Sequence, residues 1–440
     1  MVDSLGGSDG PAAVRTYNPW FMRAMLDLND PSRLRTPVAG PRFARWLDDI
    51  RDDVPVPSSP EAGAADPSSV IPFGWGVPAP DLYPRDALER AYRSVMQCDW
   101  ARALEYSDSE GTRALRTTVA ARAARRGIQV DVDQVVITSG SLQGLDLVGR
   151  TLLDDGDTIA VEAPTFMGAL GVWRPYRPRF LQIPLDGASG MDLDVLEAAL
   201  RSGARPKLVY ALPSFQNPTG ALMPEAKRAR LLRLAREYDF CIVEDDPYGE
   251  LYYDAVTPLP VRALPGADEH VIYLGSFSKI LAPGLRLGYA IASRRVAHRF
   301  TLTKKGMDFH TDGVTQLAAV RLIEDPELDF ERYVASLRRA YAERRDALLD
   351  ALARQIGSPA RWTRPEGGFF VWLELGEPID GPRLARAGPR HGVSLLAGQE
   401  FFPGGQAGRD AVRLSFSCPR ADQMAEGVAR IRAAIEDARA

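Results

Sequence analysis

One lysine, Lys279, stands in the segment Gly275-Ser276-Phe277-Ser278-Lys279-Ile280-Leu281-Ala282-Pro283-Gly284-Leu285-Arg286-Leu287-Gly288, set among two serines, an arginine and three glycines. The apolar run Val271-Ile272-Tyr273-Leu274 just before it predicts a buried parallel strand. The lysine therefore falls where a strand ends, at the carboxyl edge of a sheet, where open α/β folds take their ligands. A lysine in such a place can shed water, lower its pKa and condense with an aldehyde to a Schiff base. The hydroxyls of Ser276 and Ser278 and the guanidinium of Arg286 offer donors to a phosphate, and arginine can do so bidentately. An aldehyde and a phosphate held at one spot point to pyridoxal phosphate. Taken alone, Ser-x-Ser-Lys is equally a surface loop with an ordinary salt bridge.

Three further stretches follow predicted strands. Thr138-Ser139-Gly140-Ser141-Leu142-Gln143-Gly144 joins a strand to a helix, and the free N–H groups at that helix start can take an anion. The competing reading is a plain helix N-cap. In Pro213-Ser214-Phe215-Gln216-Asn217-Pro218-Thr219-Gly220 the Asn217 amide could donate to a cofactor phenolate, while Asn-Pro and Thr-Gly also spell a turn. Glu244-Asp245-Asp246-Pro247-Tyr248 closes the strand Phe240–Glu244. Asp245, facing a pyridine nitrogen, would keep it protonated and make the ring an electron sink. Tyr248 could donate to the ring O3′. A solvated acidic loop is the alternative.

The elements that would position these residues read as α/β. Seven strands, Val135–Thr138, Thr158–Glu162, Arg179–Ile183, Leu208–Leu212, Phe240–Glu244, Val271–Leu274 and Leu287–Ala292, alternate with helices and predict a mainly parallel sheet covered on both faces. Helices are expected at 84–97, 110–126, 142–153 and 165–176, after Asp192, and from Pro224. A long amphipathic helix after residue 326 leads into a short α+β unit with strands near 361–375, 393–396 and 411–417 and a last helix at 421–437. The expected domains are an N-terminal arm and loop (1–69), a large cofactor-binding domain (70–325) and a small C-terminal domain (326–440), with N-terminal segments joining the small domain. Residues 1–15 read as disordered, 16–53 as holding a short helix, and 55–69 as a loop.

Composition narrows the function classes. The 440 residues are 45% hydrophobic and 25% charged, an ordinary globular profile. With 54 basic and 58 acidic residues nothing calls for nucleic acid or an anionic membrane. The odd, scattered Cys98, Cys241 and Cys418 and four isolated histidines predict neither a disulfide frame nor a metal site. No signal-peptide pattern and no run of 18 apolar residues is present, so a cytoplasmic protein is expected.

In one order along the chain stand the phosphate turn, Asn217, Asp245, Tyr248, Lys279 and Arg286. With the phrases FGWGVPAPDLYP, YSDSEGTRALR, ITSGSLQGLDLVGR, EAPTFMGAL, PSFQNPTG, VEDDPYGELYY, GSFSKILAPGLRLGY, RPEGGFFVWLEL and VRLSFS, the chain resembles the pyridoxal-phosphate-dependent aminotransferases of fold type I, class I and II. It is most similar to the branch holding 2-aminoadipate aminotransferases and the catalytic domains of MocR-type regulators. The resemblance spans roughly residues 70–437 and implies the following roles. Lys279 holds the cofactor and then moves the proton between Cα and C4′. Asp245 pairs with the ring nitrogen, and Asn217 and Tyr248 bind O3′. Gly140, Ser141 and Leu142 meet the phosphate through the helix start, with Ser276, Ser278 and Arg286. Phe166 stacks on the ring, and Arg413 clamps the substrate α-carboxylate. Gly76 lies in a loop over the substrate, and Tyr106 reaches the neighbouring site of a homodimer.

Three positions depart from the branch. Trp75 replaces a frequent second glycine, Phe166 a frequent tyrosine and Leu142 a frequent glutamine. Arg23, Arg33 and Arg35 lie where an N-terminal segment often covers the substrate; each reads first as a solvated arginine. The resemblance implies ping-pong transamination between an L-α-amino acid (aromatic, arylglycine, 2-aminoadipate or branched) and a 2-oxo acid. A decarboxylase, lyase or oxidase would use the same groups. A ligand-sensing regulator would need a DNA-binding module, and no helix-turn-helix pattern precedes residue 70.

Overall fold

The computed structural model describes Ala44, Trp46 and Leu47 and residues 70–253, 259–377 and 379–439. The readings of residues 1–15 and 55–69, and Arg23, Arg33 and Arg35, lie outside the described residues. Of the stretch 16–53 only Ala44, Trp46 and Leu47 are described, where the Leu47 N–H donates to the Ala44 carbonyl at 3.0 Å. Every element below lies in the unit Asp52–Ala440.

The strands are β1 (Ile71–Pro72), β2 (Val135–Thr138), β3 (Thr158–Ala163), β4 (Arg179–Pro184), β5 (Leu208–Ala211), β6 (Cys241–Asp246), β7 (Val271–Ser276), β8 (Gly288–Ile291), β9 (Arg361–Trp362), β10 (Phe370–Glu374), β11 (Val393–Ser394), β12 (Leu396–Ala397) and β13 (Ala411–Ser415). The helices are α1 (Arg85–Cys98), α2 (Trp100–Leu104), α3 (Arg113–Arg125), α4 (Ser141–Leu152), α5 (Met167–Trp173), α6 (Leu193–Arg201), α7 (Glu225–Tyr238), α8 (Arg294–Lys305), α9 (Gly313–Ile323), α10 (Phe330–Gln355), α11 (Gly381–Arg390) and α12 (Met424–Arg439).

Seven strands form one sheet in the order β2-β8-β7-β6-β5-β3-β4. The central strands are Val-, Ile-, Leu- and Tyr-rich, and β2, β5 and β7 are buried at every position. Such strands need cover on both faces, as parallel sheets do. β8 is antiparallel to both β2 and β7, while every other pairing in this sheet is parallel. Six strands therefore end at one edge, and β8, entered from Arg286, begins there. The loops after β2, β5, β6 and β7 and the approach to β8 converge on that edge, which is the geometric condition for a site.

The later part of the chain builds a four-stranded sheet, β12-β13-β10-β9, antiparallel throughout. The stretch expected as strand at 361–375 divides into β9 and β10, and the one at 393–396 into β11 and β12, which belong to different sheets. β11 pairs in parallel with β1. The Ser415 N–H donates to the Phe73 carbonyl at 2.8 Å, so the chain just after β1 runs along the β13 end. Helices α8, α9 and α11 were not expected from the pattern. α9 (GVTQLAAVRLI) is buried on most sides, so it lacks a polar stripe, and α11 carries Pro389 in its interior.

Candidate active site

Lys279 enters the site on the turn that follows β7. The Ser276 Oγ accepts the Ser278 N–H at 3.1 Å, and the Phe277 N–H donates to the Leu287 carbonyl at 3.0 Å. Both serines are buried. The Lys279 Nζ donates to the Gly76 carbonyl at 2.7 Å and lies 6.0 Å from the Tyr248 ring centroid. Burial, then the positive charges of Arg413 and Arg286, push its pKa down to about 8, against a counteracting pull from Asp245. An amine so placed can exist unprotonated near neutral pH. A side chain at Gly76 would collide with the Phe370 ring; only glycine lets this segment cross Phe370 and present its carbonyl to the lysine.

Asp245 stands on β6 with 2% exposure. Its Oδ2 accepts the Tyr210 hydroxyl at 2.8 Å, and its Oδ1 is buried with no hydrogen-bond partner. Burial raises its pKa to about 7. Tyr248 follows three residues later, 3% exposed, its ring edge-on to Phe369 at 5.3 Å and Phe370 at 5.7 Å; burial raises its hydroxyl pKa.

Asn217 sits on the loop after β5, in a cis Asn217–Pro218 peptide. Its Oδ1 accepts from Arg413 Nη1 at 3.0 Å, which turns the amide nitrogen the other way. Gln216 fixes the turn: its Oε1 accepts the Thr219 N–H at 2.9 Å and the Thr219 hydroxyl at 2.7 Å. Its Nε2 donates to the Pro164 carbonyl at 2.8 Å and to Glu162 at 3.2 Å, so this loop is tied to the one that carries Phe166. Arg228, 1% exposed, donates to the carbonyls of Pro213, Met223 and Leu259 and to the Ser214 hydroxyl. It holds the loop from beneath.

The turn at Gly140 opens α4. Gly140 has φ 85°, a region open to glycine at little cost, and a Cβ there would collide with Arg286 Nη2. Gly288 also packs on this turn, where its Cβ would come within 2.8 Å of the Gly140 carbonyl carbon. Arg286 is exposed, and it donates to the carbonyls of Ser139 at 3.2 Å and Pro283 at 3.3 Å. Leu142 projects its side chain outward at 39% exposure, so only its backbone and that of Ser141 serve the helix start. Behind the turn, Lys304 is fully buried and donates to both oxygens of Asp308 and to Gln143 Oε1. Gln143 in turn accepts the Ser139 N–H at 2.8 Å.

Arg413, on β13, is 4% exposed and lies between the rings of Phe370 at 4.2 Å and Phe401 at 4.8 Å. Burial lowers its pKa to about 10, still well above neutrality. Its Nη2 donates to the Gly74 carbonyl. Trp75, half-buried, thus lies between one carbonyl held by Arg413 and another held by Lys279. Phe166 caps the start of α5 and is half-buried; a side chain at Gly168 would strike its ring. Tyr106 is 78% exposed, with ring contacts to Phe309 at 5.2 Å and His310 at 5.9 Å. Neither ring contact is with another of the candidate site residues.

Lys279, Asp245, Tyr248, Asn217, Ser276, Ser278, Gly140, Arg286, Gly76 and Arg413 are thus linked directly or by shared neighbours around one edge. The residues fit a pyridoxal phosphate. The buried Asp245 Oδ1 lacks only a donor, which a protonated ring nitrogen would be. A glycine turn and helix start, an arginine and two serine hydroxyls suit the phosphate. Tyr210, Arg228 and Lys304 were missed by the reading of the sequence. Among the described residues no cluster of metal-ligating side chains occurs, and no helix is long and apolar enough to cross a membrane.

Comparison with known proteins bears on the family and the fold. The family model for aminotransferase class I and II matches residues 77–431. An aromatic-amino-acid aminotransferase of Thermococcus litoralis is 38% identical over 375 residues, covering 84% of this chain and 89% of the relative. A 2-aminoadipate transaminase of Thermus thermophilus is 39% identical over 369 residues, covering 83% and 90%. Among solved structures, the α-aminoadipate aminotransferase LysN of Thermus thermophilus, complexed with N-(5′-phosphopyridoxyl)-L-leucine, matches with a TM-score of 0.78 at 38% identity. That match covers 84% of this chain and 92% of the other.

Proposed function

We propose residue roles for a chain that belongs to the aminotransferase class I and II family and transfers amino groups with pyridoxal 5′-phosphate. Bound at this edge, the cofactor supplies an aldehyde that accepts the amino group and a protonated ring that takes up the electrons left at Cα. Lys279 Nζ holds the cofactor at rest. Once displaced by the amino group of a substrate, it takes the proton from Cα and returns it to the cofactor carbon. A pKa near neutrality suits both directions of that transfer. Asp245 offers its open Oδ1 to the ring nitrogen. Asn217 Nδ2 and the Tyr248 hydroxyl donate to O3′. The start of α4 at Gly140, Ser141 and Leu142, with Ser276, Ser278 and Arg286, binds the phosphate, and Phe166 covers a ring face.

One observation carries the substrate side. Lys279 and Arg413 hold two carbonyls of a single short segment, those of Gly76 and Gly74. The amine that does the chemistry and the cation that binds a carboxylate therefore face the same strip of chain, as an α-amino acid requires. Gly76 and Trp75 belong to that strip and line the substrate side. The substrates are an L-α-amino acid and a 2-oxo acid, exchanged in two half-reactions. Trp75 and Phe166 favour a bulky side chain, in line with relatives named for aromatic amino acids and for 2-aminoadipate. The working form is a homodimer in the cytoplasm, with Tyr106 reaching the partner's phosphate site; its exposure in a single chain supports this reading.

Arg413→Ala tests the carboxylate assignment. Loss of one buried charge-assisted pair costs about 2–5 kcal/mol. The KM for amino acids should rise at least ~30-fold, the low end of that range, while cofactor affinity changes little. An unchanged KM would place the carboxylate elsewhere.

A further inference from the structure

We propose that Tyr210 is a positioning residue that acts through Asp245 to keep the proton on the cofactor's ring nitrogen. The inference rests on Asp245 facing that nitrogen. β5 and β6 are parallel neighbours with Tyr210 beside Val243. Asp245 lies two residues beyond Val243, on the same face of the sheet, since side chains alternate. Two residues of strand rise about 6.6 Å, roughly the reach of a phenol, so a tyrosine at position 210 can lay its hydroxyl on the Asp245 carboxylate. The 2.8 Å bond is that contact.

The phenol is fixed. Tyr210 is fully buried, and the Trp173 ring meets it edge-on at 5.2 Å and 90°. Trp173 is itself tied by its Nε1–H to the Leu145 carbonyl at 2.8 Å. Burial, followed by the Asp245 charge, raises the hydroxyl pKa well above its usual value, so Tyr210 acts only as a donor. Asp246 opposes ionisation of Asp245 and Lys279 favours it. With Oδ2 occupied by the phenol, Oδ1 is the oxygen left for the ring. A proton shared between that oxygen and the ring nitrogen goes to the more basic partner. Each donor to a carboxylate makes it less basic, so the Tyr210 hydroxyl moves the proton onto nitrogen.

The test uses the holoenzyme loaded with pyridoxal phosphate labelled with ¹⁵N in the ring, and reads the nitrogen chemical shift across pH together with cofactor affinity of the stripped protein. Tyr210→Phe removes one oxygen and keeps the shape. Its nitrogen signal should move toward the unprotonated value, and affinity should fall roughly 10- to 100-fold, the range for one hydrogen bond to a charged group. Tyr273→Phe removes a buried hydroxyl bonded to the neighbouring Asp246 and should leave the signal in place. In an Asp245→Asn background the Tyr210→Phe change should add nothing. The amine of 4-aminophenylalanine at position 210 keeps a weaker donor and should restore both readouts in part, which carries the test if the phenylalanine variant does not fold. A signal and affinity indifferent to the group at position 210 would overturn the inference. A signal unmoved by Asp245→Asn would instead overturn the Asp245 assignment.

Discussion

Lys279→Ala is expected to abolish turnover and, with it, the absorbance of lysine-bound cofactor. The amine lies on the Gly76 carbonyl at the carboxyl edge of β7, and its pKa of about 8 is suited to both taking and giving a proton. Losing a positioned acid–base group costs roughly 10²- to 10⁴-fold. Losing the covalent anchor as well places the fall at or beyond the upper end, on the order of 10⁴-fold or more. Cofactor should still bind through the α4 start, Arg286 and Asp245, with the spectrum of free pyridoxal phosphate. Turnover retained by the variant would remove Lys279 from the chemistry.

Asp245→Asn should lower kcat by about 10²- to 10³-fold, as when one preorganised electrostatic partner is removed. The same change should have the opposite sign on the fold without cofactor. The Asp245 pKa rises from 3.8 when exposed to about 7 in the folded protein. A group raised on folding gives its full contribution below the lower value and loses it as pH climbs through the higher one. Asp245 should therefore cost the cofactor-free wild type stability between about pH 4 and pH 7, on the order of 4 kcal/mol at 1.36 kcal/mol per pKa unit. The Asn variant should lack Asp245's share of that slope and keep the shares of Glu244 and Glu162, which burial raises to about 7 and about 8. Denaturation of both proteins at pH 4 and pH 8 checks it; parallel curves would contradict the buried, partly unsatisfied carboxylate. The site thus stores instability in the empty state that a protonated ring relieves.

Much of the architecture was legible because its strands are short, apolar and closed by turn residues. Val135–Thr138 matches to the residue, and Val271–Leu274 and Phe240–Glu244 fall within one or two residues of β7 and β6. Lys279, Asp245, Asn217 and Gly140 stood out because each follows such a run. Tyr210 did not. An aromatic in a buried strand reads as core, and only the register of β5 against β6 shows that its hydroxyl meets Asp245. Arg228 and Lys304 belong to none of the motifs that mark the site in the sequence. Their acceptors, such as the Leu259 carbonyl and Gln143, lie far away in sequence. Tyr106 shows the opposite limit: the resemblance supplies a role for it, while a single chain leaves the ring exposed.

The glycines of the site were visible as residues but not as contacts. Gly76 matters because Phe370 crosses beneath it, and Gly140 because Arg286 lies against it. Those approaches join elements more than a hundred residues apart, and no local pattern encodes them.

The most direct measurement is an absorbance scan of the cofactor-loaded protein as single L-amino acids are added with no 2-oxo acid present. Aromatic amino acids or 2-aminoadipate should convert the lysine-bound cofactor to pyridoxamine phosphate, with one 2-oxo acid released per site. Release of carbon dioxide, uptake of oxygen, or an unchanged spectrum with every amino acid would contradict it.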